Sequence, residues 1–177
     1  MTKLLVATFL VAPAVAMGDC YVEAASRYSV NVDLLRAIGY HESRLGAVAI
    51  DHKNTDGSVD VGEMQINSSN FAELQKYGIT PDSLREKRCP NIHVGAWILA
   101  GFIKKHGNTW RAVGAYGAGD SVKKDAARDG YANCIREDLK KIMSGSVKSA
   151  PPSSYVGANS RVGVDKPAFR PRMLEIQ

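Results

Sequence analysis

Apolar residues recur at helical spacing along most of the chain, most strongly over 22–28, 32–45, 71–76, 91–106, 110–116 and 120–143. The segment 91–106 is apolar around most of its circumference. Pro90 at its start and Gly107 just past its end frame it as the central buried helix. The helical period fails between Ile50 and Val61. There Thr55-Asp56-Gly57-Ser58 supplies an Asp-Gly turn of the kind that closes a short hairpin, which puts Asp60 on the returning strand beside a cleft. The pattern predicts a mainly α domain of α+β type, helical with one small β-hairpin, and contains no internal repeat.

The two ends read differently from the middle. Residues 1–18 open with Met1-Thr2-Lys3 and continue as the apolar run 4–16, which has the order of charge, apolar stretch and small residues expected of a cleaved export signal. The run is shorter than the ~20 residues a spanning helix needs. Residues 146–177 turn to Ser, Gly, scattered basic residues and four of the chain's seven prolines, the composition of a disordered tail. The predicted organisation is therefore a signal at 1–18, one folded domain at 19–145 and a basic, proline-bearing tail at 146–177.

Export changes how the charge and the cysteines are read. The net charge of +5 sits mostly in the tail, where five Lys and Arg face Asp165 and Glu175. The folded part carries no basic stripe interleaved with aromatics, so nucleic acid is not an expected partner. Three cysteines in an exported chain imply one bridge and one remaining thiol, with three pairings open among Cys20, Cys89 and Cys134. Cys20 with Cys89 is the favoured pair. It would tie the mature N-terminus to the start of a later helix and close a loop of about 70 residues, a contribution of ~3 to 4 kcal/mol in the chain-entropy picture.

The candidate chemistry centres on two carboxylates. Glu42, in Tyr40-His41-Glu42-Ser43, shares a helix face with Ile38, Leu35 and Leu34, so its carboxyl is aimed among apolar neighbours. Burial favours the protonated form, which a general acid needs to hand a proton to a glycosidic oxygen near neutral pH. Asp60 follows 18 positions later, across the hairpin turn. Other chemistries lack their residues. In His41-Glu42-Ser43-Arg44-Leu45 the second zinc-ligand position of a metalloprotease helix is Leu45, and the stretch 51–63 has Lys53 and Asp56 where a calcium loop needs an oxygen ligand and a glycine. No metal and no cofactor is expected, and neither a nucleophile elbow nor a phosphate loop is present.

Longer stretches carry a resemblance. Residues 54–62 together with Gln65-Ile66-Asn67-Ser68 resemble the active-site hairpin of animal lysozymes. Glu42-Ser43, Gly62-Glu63-Met64-Gln65 and Ala115-Tyr116-Gly117-Ala118-Gly119 resemble successive motifs of soluble lytic transglycosylases. From about Cys20 to about Met143 the chain is most similar to the small specialised lytic transglycosylases of bacterial secretion, conjugation and pilus systems. The resemblance implies a lysozyme-like fold and a site in which Glu42 acts first as acid and then as base. Asp60 matches the lysozyme aspartate that steadies or attacks the cationic sugar. Met64 and Gln65 match glycan-contacting residues, and Tyr116 matches the tyrosine of the family's Ala-Tyr-Asn-Ala-Gly motif. Tyr131, in Gly130-Tyr131-Ala132, resembles the late tyrosine that helps hold the glutamate, without the usual Glu-Thr before it.

Two residues depart from the family pattern. Gly117 stands where the family has asparagine, and Glu63 stands where an apolar residue is usual. Glu63 would raise the pKa of Glu42 if it faced the cleft and would do nothing if it faced solvent. The resemblance implies cleavage of the MurNAc-GlcNAc bond of peptidoglycan with formation of 1,6-anhydro-MurNAc, opening the wall locally for an envelope-spanning apparatus. Lysozyme-type hydrolysis is the alternative, and a non-catalytic peptidoglycan-binding assembly factor is the rival of another class. It further implies a location in the periplasm of a Gram-negative bacterium; a monomer is expected, and the basic, proline-bearing tail is expected to bind a component of that apparatus.

Overall fold

A computed structural model describes residues 19–46 and 51–147. The expected signal segment and all but the first two residues of the expected tail lie outside the described residues. In chain order the elements are α1 (Cys20–Tyr28), α2 (Val32–Ser43), β1 (His52–Lys53), β2 (Val59–Val61), β3 (Ile66–Asn67), α3 (Phe71–Gln75), α4 (Pro81–Glu86), α5 (Arg88–His106), α6 (Trp110–Ala118) and α7 (Asp125–Met143). The mainly α, lysozyme-like reading holds. Among the described residues no helix is long and apolar enough to cross a membrane.

Side-chain caps set most of the helix starts. Asp19, Asn31 and Thr109 each accept from a backbone N–H in the first turn of the helix that follows. At α4 the Thr80 side chain accepts from Ser83 N–H while the Ser83 hydroxyl bonds the Thr80 backbone, and Pro81 occupies the first helical position. α4 is absent from the sequence expectation. α5 begins two residues before Pro90, which therefore lies in the first turn, where its missing N–H breaks no helical bond.

α5 is the core helix, with Ile92, Val94, Ala96 and Leu99 at 0 % exposure. Around it α1 and α2 contribute Tyr21, Ala24, Leu35 and Ile38, and α7 contributes Ile135. α7 packs on both α2 and α6. The expected hairpin is present and extended by one more strand. β1 and β2 pair antiparallel with His52 opposite Asp60, and β2 and β3 with Asp60 opposite Asn67 and Val61 opposite Ile66. A disulfide joins Cys20 to Cys89 with Cα atoms 5.2 Å apart, and Cys134 is free and exposed.

Candidate active site

Glu42 lies in the last turn of α2, one residue before the helix ends. Arg44 and Leu45 then take left-handed backbone, φ 58° and 59°, and turn the chain sharply away. Ser43 steadies this exit, its hydroxyl donating to Gly39 C=O at 3.2 Å and accepting from Gly46 N–H at 3.2 Å. The Glu42 carboxyl is half-buried and faces α7, where the Tyr131 hydroxyl donates to its Oε1. Burial pushes the Glu42 carboxyl above the ordinary glutamate value. The Tyr131 hydrogen bond and the His41 charge pull it back, and the charge of Asp60 adds to the rise.

Asp60 is held by amides. Asn54 Nδ2 donates to one carboxylate oxygen at 2.8 Å and Asn67 Nδ2 to the other at 2.8 Å. Both amides also donate to the Ser58 hydroxyl at 3.0 Å, which itself donates to Asp56 at 2.7 Å. The β2–β3 register sets Asn67 directly opposite Asp60, and the turn 54–58 brings Asn54 back over the strand. These two asparagines are absent from the sequence-based site. The signal for Asn67 was the four-residue turn 62–65, which fixes the register once Val61 and Ile66 are paired.

That turn is the third part of the site. Gly62 has φ 79°, and a Cβ there would lie 1.8 Å from Asn91 Nδ2, so only glycine serves. Asn91, with 0 % exposure, donates to Val61 C=O at 2.9 Å and to Leu84 C=O at 3.1 Å and accepts from Met64 N–H at 2.7 Å. Gln65 carries a left-handed φ of 46°, and its side-chain amide donates to Gly62 C=O at 2.8 Å. Tyr116 on α6 donates to Met64 C=O at 2.8 Å. Its hydroxyl is held well above the ordinary tyrosine range by burial, then by the charges of Glu42 and Asp60, so it stays a donor.

Two expectations are corrected. The Met64 side chain does not present a face to a sugar: it has 0 % exposure, packed against Gly39 and Gly95, and what reaches the site is its backbone carbonyl. Glu63 faces neither the Glu42 carboxyl nor solvent. With 2 % exposure it accepts from Arg88 Nε at 2.5 Å and Nη2 at 3.0 Å and from the Tyr21 hydroxyl at 2.7 Å, on the side of the turn nearest the disulfide. Its charge is spent on that buried pair and does not contribute to the rise of Glu42.

Behind Tyr131 stands His41, whose ring meets the tyrosine edge-on with centroids 5.2 Å apart. Its Nδ1 lies 3.0 Å from Asp138, which also bonds Lys141 at 2.7 Å. Among the described residues no group of three or more His, Cys, Asp or Glu is arranged to hold a metal. The arrangement can deliver a proton from a half-buried carboxyl toward a group lying near a fixed second carboxylate, a requirement of glycosidic bond cleavage.

Comparison with known proteins gives the same chemistry. Residues 19–138 match the Transglycosylase SLT domain family. The chain is 39 % identical over 144 residues to the invasion protein IagB of Salmonella typhimurium strain SL1344, covering 81 % of this chain and 89 % of the relative. It is 38 % identical over 162 residues to the X polypeptide of Escherichia coli, with 89 % and 85 % covered. To the protein IpgF of Shigella sonnei it is 36 % identical over 134 residues, with 76 % and 88 % covered.

Proposed function

The chain belongs to the Transglycosylase SLT domain family and is a lytic transglycosylase, and on that premise we propose that it cleaves the β-1,4 bond between MurNAc and GlcNAc in peptidoglycan with formation of 1,6-anhydro-MurNAc. Protonated Glu42 donates its proton to the glycosidic oxygen, the GlcNAc side departs as the alcohol, and positive charge develops on the muramic ring. Asp60, fixed by Asn54 and Asn67, steadies that charge. The carboxylate left on Glu42 then takes the proton of the ring's own 6-hydroxyl as that oxygen closes on the anomeric carbon. No water is consumed, and Glu42 is returned protonated.

The observation that carries this reading is the state of Glu42: pushed toward its protonated form by burial and Asp60, and gripped by Tyr131. Gln65 and Tyr116 act here as glycan-binding residues beside it. A second reading is favoured by one observation. The two-amide clamp on Asp60 suits a carboxylate that acts on the cation directly, as in a retaining hydrolase. Peptidoglycan lies outside the cytoplasmic membrane, so the activity is extracytoplasmic, and we place it in the periplasm of a Gram-negative bacterium. There a monomer opens the wall locally for an envelope-spanning secretion, conjugation or pilus apparatus, and its basic tail docks on a component of that apparatus. Similarity to a protein named for invasion supports the setting.

Mass spectrometry of soluble products from purified peptidoglycan tests the chemistry, with wild type, Glu42→Gln and Asp60→Asn in parallel. Anhydromuropeptides from wild type, reduced about 10²- to 10⁴-fold in Glu42→Gln, are expected. For Asp60→Asn the expected outcome is the same product, formed about 10²-fold more slowly. Reducing-end muropeptides instead would assign hydrolysis.

A further inference from the structure

Gly117 departs from the family's asparagine, and its surroundings give that departure a role. It is an exposed residue in the last turn of α6. A Cβ built there would lie 2.2 Å from both Cδ2 and Cε2 of Tyr131 and 2.6 Å from its Cγ. The tyrosine ring thus lies in the space that any other residue at 117 would fill. One turn earlier, a Cβ at Gly114 would lie 2.5 Å from Arg128 C=O, so the two glycines, three apart on α6, face Arg128 and Tyr131, three apart on α7.

We propose that Gly117 is a positioning residue for catalysis: its missing side chain leaves the slot against α6 in which the Tyr131 ring lies, and so delivers the Tyr131 hydroxyl to Glu42. The ring has no easy alternative. α7 cannot back away at this point, because the buried Arg128 one turn before Tyr131 donates to Gly119 C=O at 3.0 Å and Ser121 C=O at 2.7 Å and pairs with Asp125. His41 also abuts the ring, edge-on with centroids 5.2 Å apart, and its own ring is held by Asp138. A methyl at 117 therefore turns the ring about its side-chain bonds and carries the hydroxyl off Glu42.

The consequence has a sign. The Tyr131 bond lowers the proton affinity that burial raises in Glu42, so losing it lets Glu42 titrate at higher pH. The other titratable groups that act on Glu42 and Tyr131 are His41 on α2, Asp60 on β2, and Tyr116 and Cys134 on α6 and α7. None is altered by the substitution. This inference rests on the proposed role of Glu42, and its test is chosen to fail separately from that role.

The test follows the carboxyl carbon of Glu42 by NMR titration in wild type, Gly117→Ala, Tyr131→Phe and the double variant, alongside kcat/KM against pH on purified peptidoglycan. Titration needs no turnover, so an inactive wild type would sink the functional reading and leave this measurement intact. Expected are an upward shift of the Glu42 midpoint in Gly117→Ala matching that of Tyr131→Phe, and no further shift in the double variant. kcat/KM should fall about 10- to 100-fold, the worth of a hydrogen bond to a charged group. An unmoved midpoint in Gly117→Ala beside a shifted one in Tyr131→Phe would overturn the proposal. Should Gly117→Ala not fold, Gly117→Ala/Tyr131→Leu decides: recovery of the fold shows that the ring occupies the slot, and failure to recover overturns it.

Discussion

Glu42 shows how a single residue can be set against the stability of its own fold. The folded protein binds a proton at Glu42 more tightly than the unfolded chain does, because burial raises its pKa. Stability is therefore lost as pH rises from the unfolded glutamate value through the folded one, and the deficit is full above both. Glu42→Gln keeps the shape and removes the charge. Its Tm is expected to exceed that of wild type at pH 8, with the gain shrinking as pH falls through the ordinary glutamate value and vanishing about a unit or more below it, where Glu42 is protonated in both states; thermal melts across that range read it directly. An equal difference at every pH would show that the substitution acts through packing. Glu42 itself was legible in the sequence, since Leu34, Leu35 and Ile38 below it are buried as the helical period required. Its partner was less so. Tyr131 lies 89 positions away, and the family motif rather than any local pattern pointed to it.

At the scale of elements the β2–β3 turn does the positioning, and most of what holds it was hidden from sequence reasoning. The Asp-Gly turn and the strand bearing Asp60 follow from local chemistry, and so does the buried face of α5. The grip on 62–65 does not, because Tyr21, Arg88 and Asn91 come from other elements and nothing in their own neighbourhoods marks them. α4 was missed for a different reason: six residues give too little periodicity, although Thr80-Pro81 followed by Ser83 was a readable start signal. The buried Glu63–Arg88 pair yields a prediction here. Burial pulls the Arg88 guanidinium down, but Glu63 outweighs it and holds it above its ordinary value. Glu63→Leu restores the apolar residue usual in the family yet leaves Arg88 buried without its anion, a loss of about 3 to 5 kcal/mol. Urea denaturation should show that loss in Glu63→Leu and recover most of it in Glu63→Leu/Arg88→Met, where the pair is replaced by apolar groups.

For the whole molecule, the bridge from Cys20 to Cys89 encloses α2, the sheet, Glu42 and Asp60, while Tyr116 and Tyr131 lie outside the loop. Its effect has two parts that experiment can separate. Closing a loop of 69 residues restricts the unfolded chain, worth about 4 kcal/mol, so reduction should lower Tm by roughly 10 to 20 °C. The second part is local. Cys20 precedes Tyr21 and Cys89 follows Arg88, the two residues that hold Glu63, so the bridge also fixes the distance between the arms of that clamp. Activity measured far below the reduced protein's Tm isolates this part, because global unfolding is then negligible. kcat/KM of Cys20→Ser/Cys89→Ser at such a temperature should fall in a wild-type background and change little when Glu63→Leu/Arg88→Met has already removed the clamp. Equal losses in both backgrounds would mean that the bridge reaches the site by another route, and no loss in either would reduce it to a restraint on the unfolded chain.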